Sequence, residues 1–526
     1  MRDHVVAVDI GTASARAGVF DREGRSLAKA KHPIAMQRPR ENHAEHDSED
    51  IWRAACAAVR DAMSAAGLGP ERIAAIGFDA TCSLVVRDID GAQITVSTGG
   101  DKRFDTIVWL DHRAICEAGE LSASGHHALT FSGCSLSPEM EMPKLMWLKR
   151  HLPQTWQRAG YFFDLADFMT WKATGSSARS RCTLAAKWNY LAHENPSWQA
   201  DFLSLAGLED LLERGSLSEK TARVGESVGH LTTAAARDLG LDTGCRVSAG
   251  LIDAYAGAFG VLGGMSEGPE LERAVALIGG TSSCIVSFPS EPKPGRSLWG
   301  PYYEAVLPGR WLVEGGQSAT GALLDHIVRM HASGGEPTAE LIRRIVGRVN
   351  ELRAEQADGL AAHLHVLPDF HGNRSPLADP EATGVISGLT LDSSFDGLCR
   401  LYWRTCVAIA LGIRHILETM EGYGYRFETL HVAGGHVHNP LLLELYADVT
   451  GCKVVIPQTE DAVLLGTAMT AAAAGGIHPT LVAAGRAMAA DGRVQLPDTL
   501  WAGQYDRDYR RFLAMVRHRD ELHSIV

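Results

Sequence analysis

Residues 5–12 read Val5-Val6-Ala7-Val8-Asp9-Ile10-Gly11-Thr12, an apolar run, one carboxylate and a Gly-Thr pair. The valines favour a buried strand, and Gly11 predicts a tight turn where it ends. Residues 13–21, with Ala15, Ala17, Val19 and Phe20, predict a second strand pairing back onto the first. Asp21-Arg22-Glu23-Gly24 then closes a further hairpin. Helical spacing follows over 51–66, with Ser48 as the expected N-cap and Gly67 as the stop. Strands at 73–78 and 84–86 come next, and Asp90-Gly91 predicts a turn. Strands and helices alternate in this way along the chain, which predicts the α/β class.

The opening logic returns once. Ala276-Leu277-Ile278-Gly279-Gly280-Thr281-Ser282-Ser283, followed by Cys284-Ile285-Val286, again reads as strand, Gly-Thr turn, strand. Each copy stands near the start of one half of the chain, so two domains of related architecture around a shared ligand are expected. The boundary is expected near residues 254–264, where a Gly-rich run follows a strand. Its glycines at 257, 260, 263 and 264 suit either a hinge or close packing. Residues 291–310, rich in Pro and Gly, read as an irregular connection or flap. Tyr505, Tyr509, Phe512, Leu513 and Val516 recur at helical spacing and predict a packing helix over 501–525.

Composition narrows the function classes. The 526 residues carry 50 Lys+Arg against 63 Asp+Glu, a formal net charge of −13. An acidic chain lacks the basic footprint of a nucleic-acid binder and is repelled by anionic lipid. The N-terminal apolar run is too short for a signal peptide. The uncharged stretch 462–485 is alanine-rich and broken by Gly475-Gly476 and Pro479, so a buried helix is expected there and not a membrane span. No CxxC pair occurs among the ten cysteines. That argues against a zinc site or a disulfide framework and fits reduced thiols in a cytoplasmic protein.

Four constellations can carry chemistry. Asp9, beside the Gly11-Thr12 turn, can hold a hydrated Mg²⁺ near phosphate oxygens, or simply cap the turn. Asp253, in Gly250-Leu251-Ile252-Asp253-Ala254, stands at the carboxyl end of a predicted strand, where open α/β sheets bind ligands. It can act there as a general base, or cap a turn or helix. Ile278-Gly279-Gly280-Thr281-Ser282 suits a backbone cradle for β- and γ-phosphates. In Val432-Ala433-Gly434-Gly435-His436-Val437-His438-Asn439-Pro440, the two glycines let a flat ligand lie against the backbone, and Asn439 can cap the next helix. With no third ligand at metal spacing, His436 and His438 are expected at the surface. The chain has no GxxxxGK[ST], HExxH or GxGxxG motif, and Gly316-Gln317-Ser318-Ala319-Thr320 misses the GxSxG elbow at its last position. Phosphate binding therefore falls to the Gly-Thr turns.

In this order, the four pieces resemble the FGGY carbohydrate kinases, within the actin-like ATPase (ribonuclease H-like) superfold. The resemblance implies two domains with ATP and sugar meeting in a central cleft, and closure that excludes water. It implies that Asp9 and Asp253 hold Mg²⁺ through water, and that Gly11, Thr12, Gly280 and Thr281 contact the phosphates. Gly434, Gly435 and Asn439 would lie at the adenosine, Gln317 near the nucleotide, and Asp253 would be the catalytic base. The expected domains are 1–258, on the sugar and Mg²⁺ side, and 259–480, on the nucleotide side, with a helical extension over 481–526.

Finer segments resemble the pentulose-kinase branch that includes D-ribulokinases. They are Gly77-Phe78-Asp79-Ala80-Thr81-Cys82-Ser83-Leu84-Val85-Val86, Trp109-Leu110-Asp111-His112-Arg113-Ala114, Pro143-Lys144-Leu145, Asp164-Leu165-Ala166-Asp167-Phe168, Cys182 with Lys187-Trp188, and His371-Gly372-Asn373-Arg374-Ser375-Pro376. The implied reaction is ATP-dependent phosphorylation of the terminal hydroxyl of D-ribulose. Thr81, Cys82, Asp111, His112, Arg113 and Asp253 are the sugar-side candidates, with Trp109 as a stacking face or a core residue. Ala186, where a second cysteine is expected, and His436-Val437-His438 depart from the family pattern. L-ribulose, ribitol or another polyol are the alternative substrates. An actin-like ATPase and a sugar-sensing pseudokinase are the alternative classes, the latter weakened because both Asp9 and Asp253 are present. Homodimers are common among similar kinases, and the sequence leaves oligomeric state open.

Overall fold

The opening run folds as a strand, β1 (His4–Ile10), followed by β2 (Ser14–Asp21) and β3 (Ser26–Pro33) in two antiparallel hairpins. In the computed structural model, which describes residues 2–356 and 359–525, the chain divides into two compact units. The first comprises Met1–Leu271, Ser287–Val313 and Thr459–Ala490. The second comprises Glu272–Val286, Glu314–Gln458 and Asp491–Val526. The two are interleaved along the chain.

In the first unit, β4 (Ile73–Ala80) runs parallel to β1, and β5 (Ser227–His230), β6 (Arg246–Ser248) and β7 (Leu251–Ile252) extend the sheet. The order is β5-β6-β4-β1-β2-β3, with β7 also parallel to β4. Every residue of β4 is buried, the signature of a central strand covered on both faces. Val6, Val8 and Ile10 join Ile51, Ala55 and Val59 of the helix Ser48–Ala66 in one core. Side chains alternate along a strand, so Val5, Ala7 and Asp9 face the other way. There the alanine-rich helix Ala462–Ala474 packs on β1 and β4.

Local corrections have physical causes. The cap of Ser48–Ala66 is Asp47, whose carboxylate accepts from the Glu49 and Asp50 amides, while Ser48 Oγ donates to Asp105 Oδ2 at 2.7 Å. Gly67 ends the helix at φ 66°, as expected. Residues 254–264 lie in the helix Asp253–Leu262 and the short turn after it. A Cβ on Gly260 would stand 2.0 Å from the Ala462 carbonyl oxygen, and one on Gly466 would stand 1.9 Å from that of Ala256. Those glycines serve close packing of two helices. The segment 291–310 carries a strand, Trp299–Tyr303, where an irregular connection was expected.

In the second unit, β8 (Ala274–Gly279) pairs antiparallel with β9 (Ser283–Ser287) and parallel with β10 (Thr429–Gly434). Beyond them lie β11 (Lys453–Pro457) and an edge strand, β12 (Gly492–Gln495). A hairpin closed by a Gly-Thr turn, with a parallel third strand beside it, thus occurs in both units. The echo in the sequence is an echo in topology. The C-terminal segment forms the expected helix, Ala502–Ser524. All ten cysteines are free thiols, most of them buried. Among the described residues, no helix is long and apolar enough to cross a membrane.

Candidate active site

In the first unit the candidates gather where β1, β4 and β7 end. Asp9 lies opposite Arg16 of β2 on one side and Asp79 of β4 on the other. Leu251 of β7 pairs with Asp79, and Asp253 follows as the first residue of its helix, half-buried, with Oδ1 accepting from the Ala254 amide at 2.7 Å. Arg16 Nη2 donates to Asp9, and Nη1 to Asp461 Oδ2 at 2.7 Å. Thr467 Oγ1 donates to Asp79 Oδ2, while Asp79 Oδ1 is buried with no hydrogen-bond partner. Burial pushes the Asp9 carboxyl up, and the Arg16 guanidinium opposes that push. Burial raises Asp79 well above the usual carboxylate range, and the charge of Asp9 adds to it.

The Gly11-Thr12 turn is closed by the Gly11 amide donating to the Ser14 carbonyl at 3.0 Å. Thr12 Oγ1 accepts from the Trp109 indole at 2.9 Å, and the Trp109 amide donates to Ser83 Oγ at 3.1 Å. The Gly11-Thr12 turn is therefore tied to the segments that carry Ser83 and Trp109. The Thr81 amide donates to the Ile10 carbonyl at 3.0 Å, which sets Thr81 and Cys82 beside the end of β1. Both are buried, and burial pushes the Cys82 thiol up to about 12, so it stays protonated at neutral pH.

Asp111, His112 and Arg113 divide into two kinds. The side chains of Asp111 and Arg113 are 0% exposed, and Arg113 Nη2 bridges Asp111 Oδ2 at 2.7 Å and Glu45 Oε1 at 2.9 Å. Arg113 Nη1 donates to the Val96 carbonyl at 2.9 Å, and the guanidinium lies over the Trp147 ring. The ion pair is buried and not on the surface. His112, between them, keeps its ring half-exposed, with Nε2 4.0 Å from Glu139.

In the second unit, Gly280-Thr281 and Gly434-Gly435 form exposed turns at adjacent strand ends, since Gly279 pairs with Gly434. The Gly321 amide donates to the Gly280 carbonyl at 3.0 Å, and the Thr320 amide to the Thr281 carbonyl at 3.0 Å. Gly434 sits at φ 82°, with Gly279 O 2.4 Å from where a Cβ would stand, so only glycine fits. Asn439 caps the helix Pro440–Thr450, accepting from the Leu441 amide at 3.1 Å and donating to the Tyr402 hydroxyl at 3.1 Å. Gln317 is buried. Its Nε2 donates to the Ile409 carbonyl at 3.2 Å, and its Oε1 has no partner.

His438 is exposed, as expected, but His436 is not. It is buried under the turns, with Nε2 donating to the Gly280 carbonyl at 3.2 Å and the Tyr446 hydroxyl donating to Nδ1 at 2.8 Å. Burial lowers its pKa to about 4. The neutral tautomer with hydrogen on Nε2 satisfies both bonds. The histidine is a strut beneath the Gly280-Thr281 turn.

Sequence reasoning passed over Asp79, Arg16, Asp461 and Thr467 as members of this site. Asp79 was legible, since it stands at the carboxyl end of an apolar run as Asp253 does. Arg16 needs the hairpin register, and Asp461 and Thr467 return from far along the chain. As to Mg²⁺, among the described residues no three His, Cys, Asp or Glu side chains converge as a metal cage. Mg²⁺ keeps several waters and asks for one or two carboxylates, so the oxygens of Asp9 and Asp253, backed by the unpartnered Asp79 Oδ1, fit it.

The N-terminal domain of the FGGY family of carbohydrate kinases matches residues 4–260, and its C-terminal domain matches 275–475. The FGGY carbohydrate kinase domain-containing protein of Homo sapiens is 41% identical over 542 residues, covering 99% of this chain and 98% of that protein. The D-ribulokinase of Saccharomyces cerevisiae is 37% identical over 512 residues, covering 89% of this chain and 71% of that protein. The solved structure of xylulose kinase from Rhodospirillum rubrum matches with a TM-score of 0.82 at 24% identity, over 99% of each chain, a likeness of fold. With both domain types matched in order and relatives aligned along its length, the chain belongs to the FGGY family of carbohydrate kinases and has their two-domain α/β, actin-like ATPase fold.

Proposed function

We propose that the protein transfers the γ-phosphoryl group of ATP to the terminal hydroxyl of a pentulose, D-ribulose in the first instance, in the cytoplasm. The observation that carries the chemistry is Asp253, a half-buried carboxylate at the start of a helix and beside the Asp9–Asp79 row. The likeness to the yeast protein named D-ribulokinase supports the substrate. Asp253 accepts the hydroxyl proton as the sugar oxygen bonds to phosphorus and the bond to the ADP oxygen breaks. Asp9 and Asp253 would hold Mg²⁺ through water, and the bound ion would neutralise charge on the phosphates. Amides of the Gly11-Thr12 and Gly280-Thr281 turns face the phosphates, Gly434-Gly435 and Asn439 the adenosine, and Gln317 the nucleotide. Asp79 and Arg16 fix the orientation of Asp9.

Thr81, Cys82 and His112 contact the sugar. Asp111 and Arg113, wholly buried against each other, act by positioning His112 between them. The test is ADP release from Mg-ATP across D-ribulose, L-ribulose, D-xylulose, ribitol and glycerol. D-ribulose should be preferred, and Asp253→Asn should lower the rate by about 10²–10⁴-fold while leaving the melting temperature unchanged. Preference for another sugar replaces the substrate and keeps the mechanism. Sugar-independent ADP release, or near-normal turnover by Asp253→Asn, overturns the reading.

A further inference from the structure

The second unit contains a cavity of about 260 Å³ that the kinase reaction does not use. Two helices, Phe395–Gly422 and Pro440–Thr450, run into it, and neither has a basic residue in its last turn. The carboxyl end of a helix carries partial negative charge and is ordinarily matched by a cation. Here Glu418 and Glu421 stand near the end of the first helix, and Asp448 near the end of the second. The helix Ala502–Ser524 starts at the same cavity with the opposite polarity, and its own Asp506 offsets that end.

The nearby cations are already engaged. Arg414 donates from Nε to Glu418 at 2.7 Å and from Nη1 to Asp506 at 2.8 Å. Arg353 is paired with Glu444 and lies over Trp403, and Arg426, just beyond the first helix, spends its Nη1 on the Glu421 and Tyr425 carbonyls at 2.9 and 2.7 Å. Two carboxylates are left over. Glu421 has no ion-pair partner among the described residues. Asp448 is 6% exposed; its Oδ1 accepts from the Asp498 amide at 2.7 Å, and its Oδ2 is buried with no partner. Burial, with Glu444 and Asp498 nearby, pushes the Asp448 carboxyl up to about 6 against the opposing charge of Arg353. Leu417 and Phe427 give the cavity an apolar wall.

We propose that this cavity binds a small alkyl diammonium ion of the polyamine class, with one ammonium on Asp448, the other on Glu421, and the methylenes against Leu417 and Phe427. Two unmatched carboxylates on separate helices ask for two positive ends, and the apolar wall asks for a hydrocarbon link. No trio of side chains there is arranged to hold a metal ion among the described residues.

The test is titration calorimetry on the full chain without sugar or nucleotide, using 1,4-diaminobutane, 1-aminobutane and MgCl₂ at matched ionic strength. The diamine should bind at one site per chain, about tenfold more tightly than the monoamine, as one charged hydrogen bond is worth. Glu421→Gln and Asp448→Asn should each weaken diamine binding by about tenfold. Both variants should fold. In Asp448→Asn the side-chain amide oxygen still accepts from the Asp498 backbone amide, and Glu421 is half-buried. Absence of saturable heat, equal binding by both variants and wild type, or displacement of the diamine by MgCl₂ overturns the proposal. Since no phosphoryl transfer is read, a negative result here leaves the kinase assignment untouched.

Discussion

Asp9 and Asp79 face each other across two parallel strands at the centre of the first unit's sheet, both buried, with Arg16 donating to the first and Thr467 to the second. Two carboxyl groups so placed cannot both ionise without strong repulsion. Burying the two together costs stability, which the Arg16 guanidinium against Asp9 offsets in part.

Asp79→Asn should therefore be tolerated. The amide oxygen still accepts from Thr467, and the like-charge neighbour of Asp9 is gone. Thermal unfolding should occur at or above the wild-type temperature. Asp79→Ala strands the Thr467 hydroxyl and should cost roughly 1–3 kcal/mol. An Asn variant melting far below wild type would mean that the fold needs the ionised acid.

Arg113 answers two buried carboxylates, Asp111 and Glu45. Arg113→Ala leaves both uncompensated and should cost about 3–5 kcal/mol in urea unfolding. A loss below about 1 kcal/mol, with the sugar KM raised, would instead make Arg113 a direct sugar contact.

His436 gives one pH dependence with a definite sign. Its folded pKa, near 4, lies below the unfolded value of 6.5, so the unfolded chain takes up the proton first as pH falls. Its contribution is complete above pH 6.5 and is lost on descending toward pH 4, by up to about 3 kcal/mol. His436→Gln keeps a donor for Gly280 and an acceptor for Tyr446 without titrating. The gap in urea stability between wild type and variant should narrow or reverse on going from pH 7 to pH 5.

Gly434→Ala tests the proposed adenosine contact of the Gly434-Gly435 turn. The new methyl meets Gly279 O at 2.4 Å, at a φ that L-residues rarely adopt. The distorted turn should raise the KM for ATP while leaving that for the sugar unchanged, as steady-state kinetics would read. Equal changes in both would point to a general loss of fold.

Much of this was legible because the deciding signals are local. The strand-turn-strand pattern at residues 5–21 and its second copy at 276–286 placed both hairpins, and Asn439 before Pro440 announced a helix cap. What stayed hidden depends on packing between distant segments. His436 reads as polar, yet it is buried because the Gly280 carbonyl and the Tyr446 hydroxyl meet both ring nitrogens. Asp111 and Arg113 read as sugar-side candidates, and their burial shows only once Glu45, brought in by a separate strand, closes the cluster. Gly260 could have been a hinge, and only the Ala462 carbonyl against it decides for packing.

The return of residues 459–490 to the first unit bears on how the chain is made. The helix Ala462–Ala474 covers β1 and β4 and, with the Asp461 that caps it, supplies Asp461 and Thr467 to the charged cluster there. On the ribosome, the sheet that begins at residue 4 therefore waits for almost the whole polypeptide before that face is sealed. A nascent chain halted before residue 459 presents an open apolar surface and a pair of unsupported acids, the form that chaperones recognise and proteases remove.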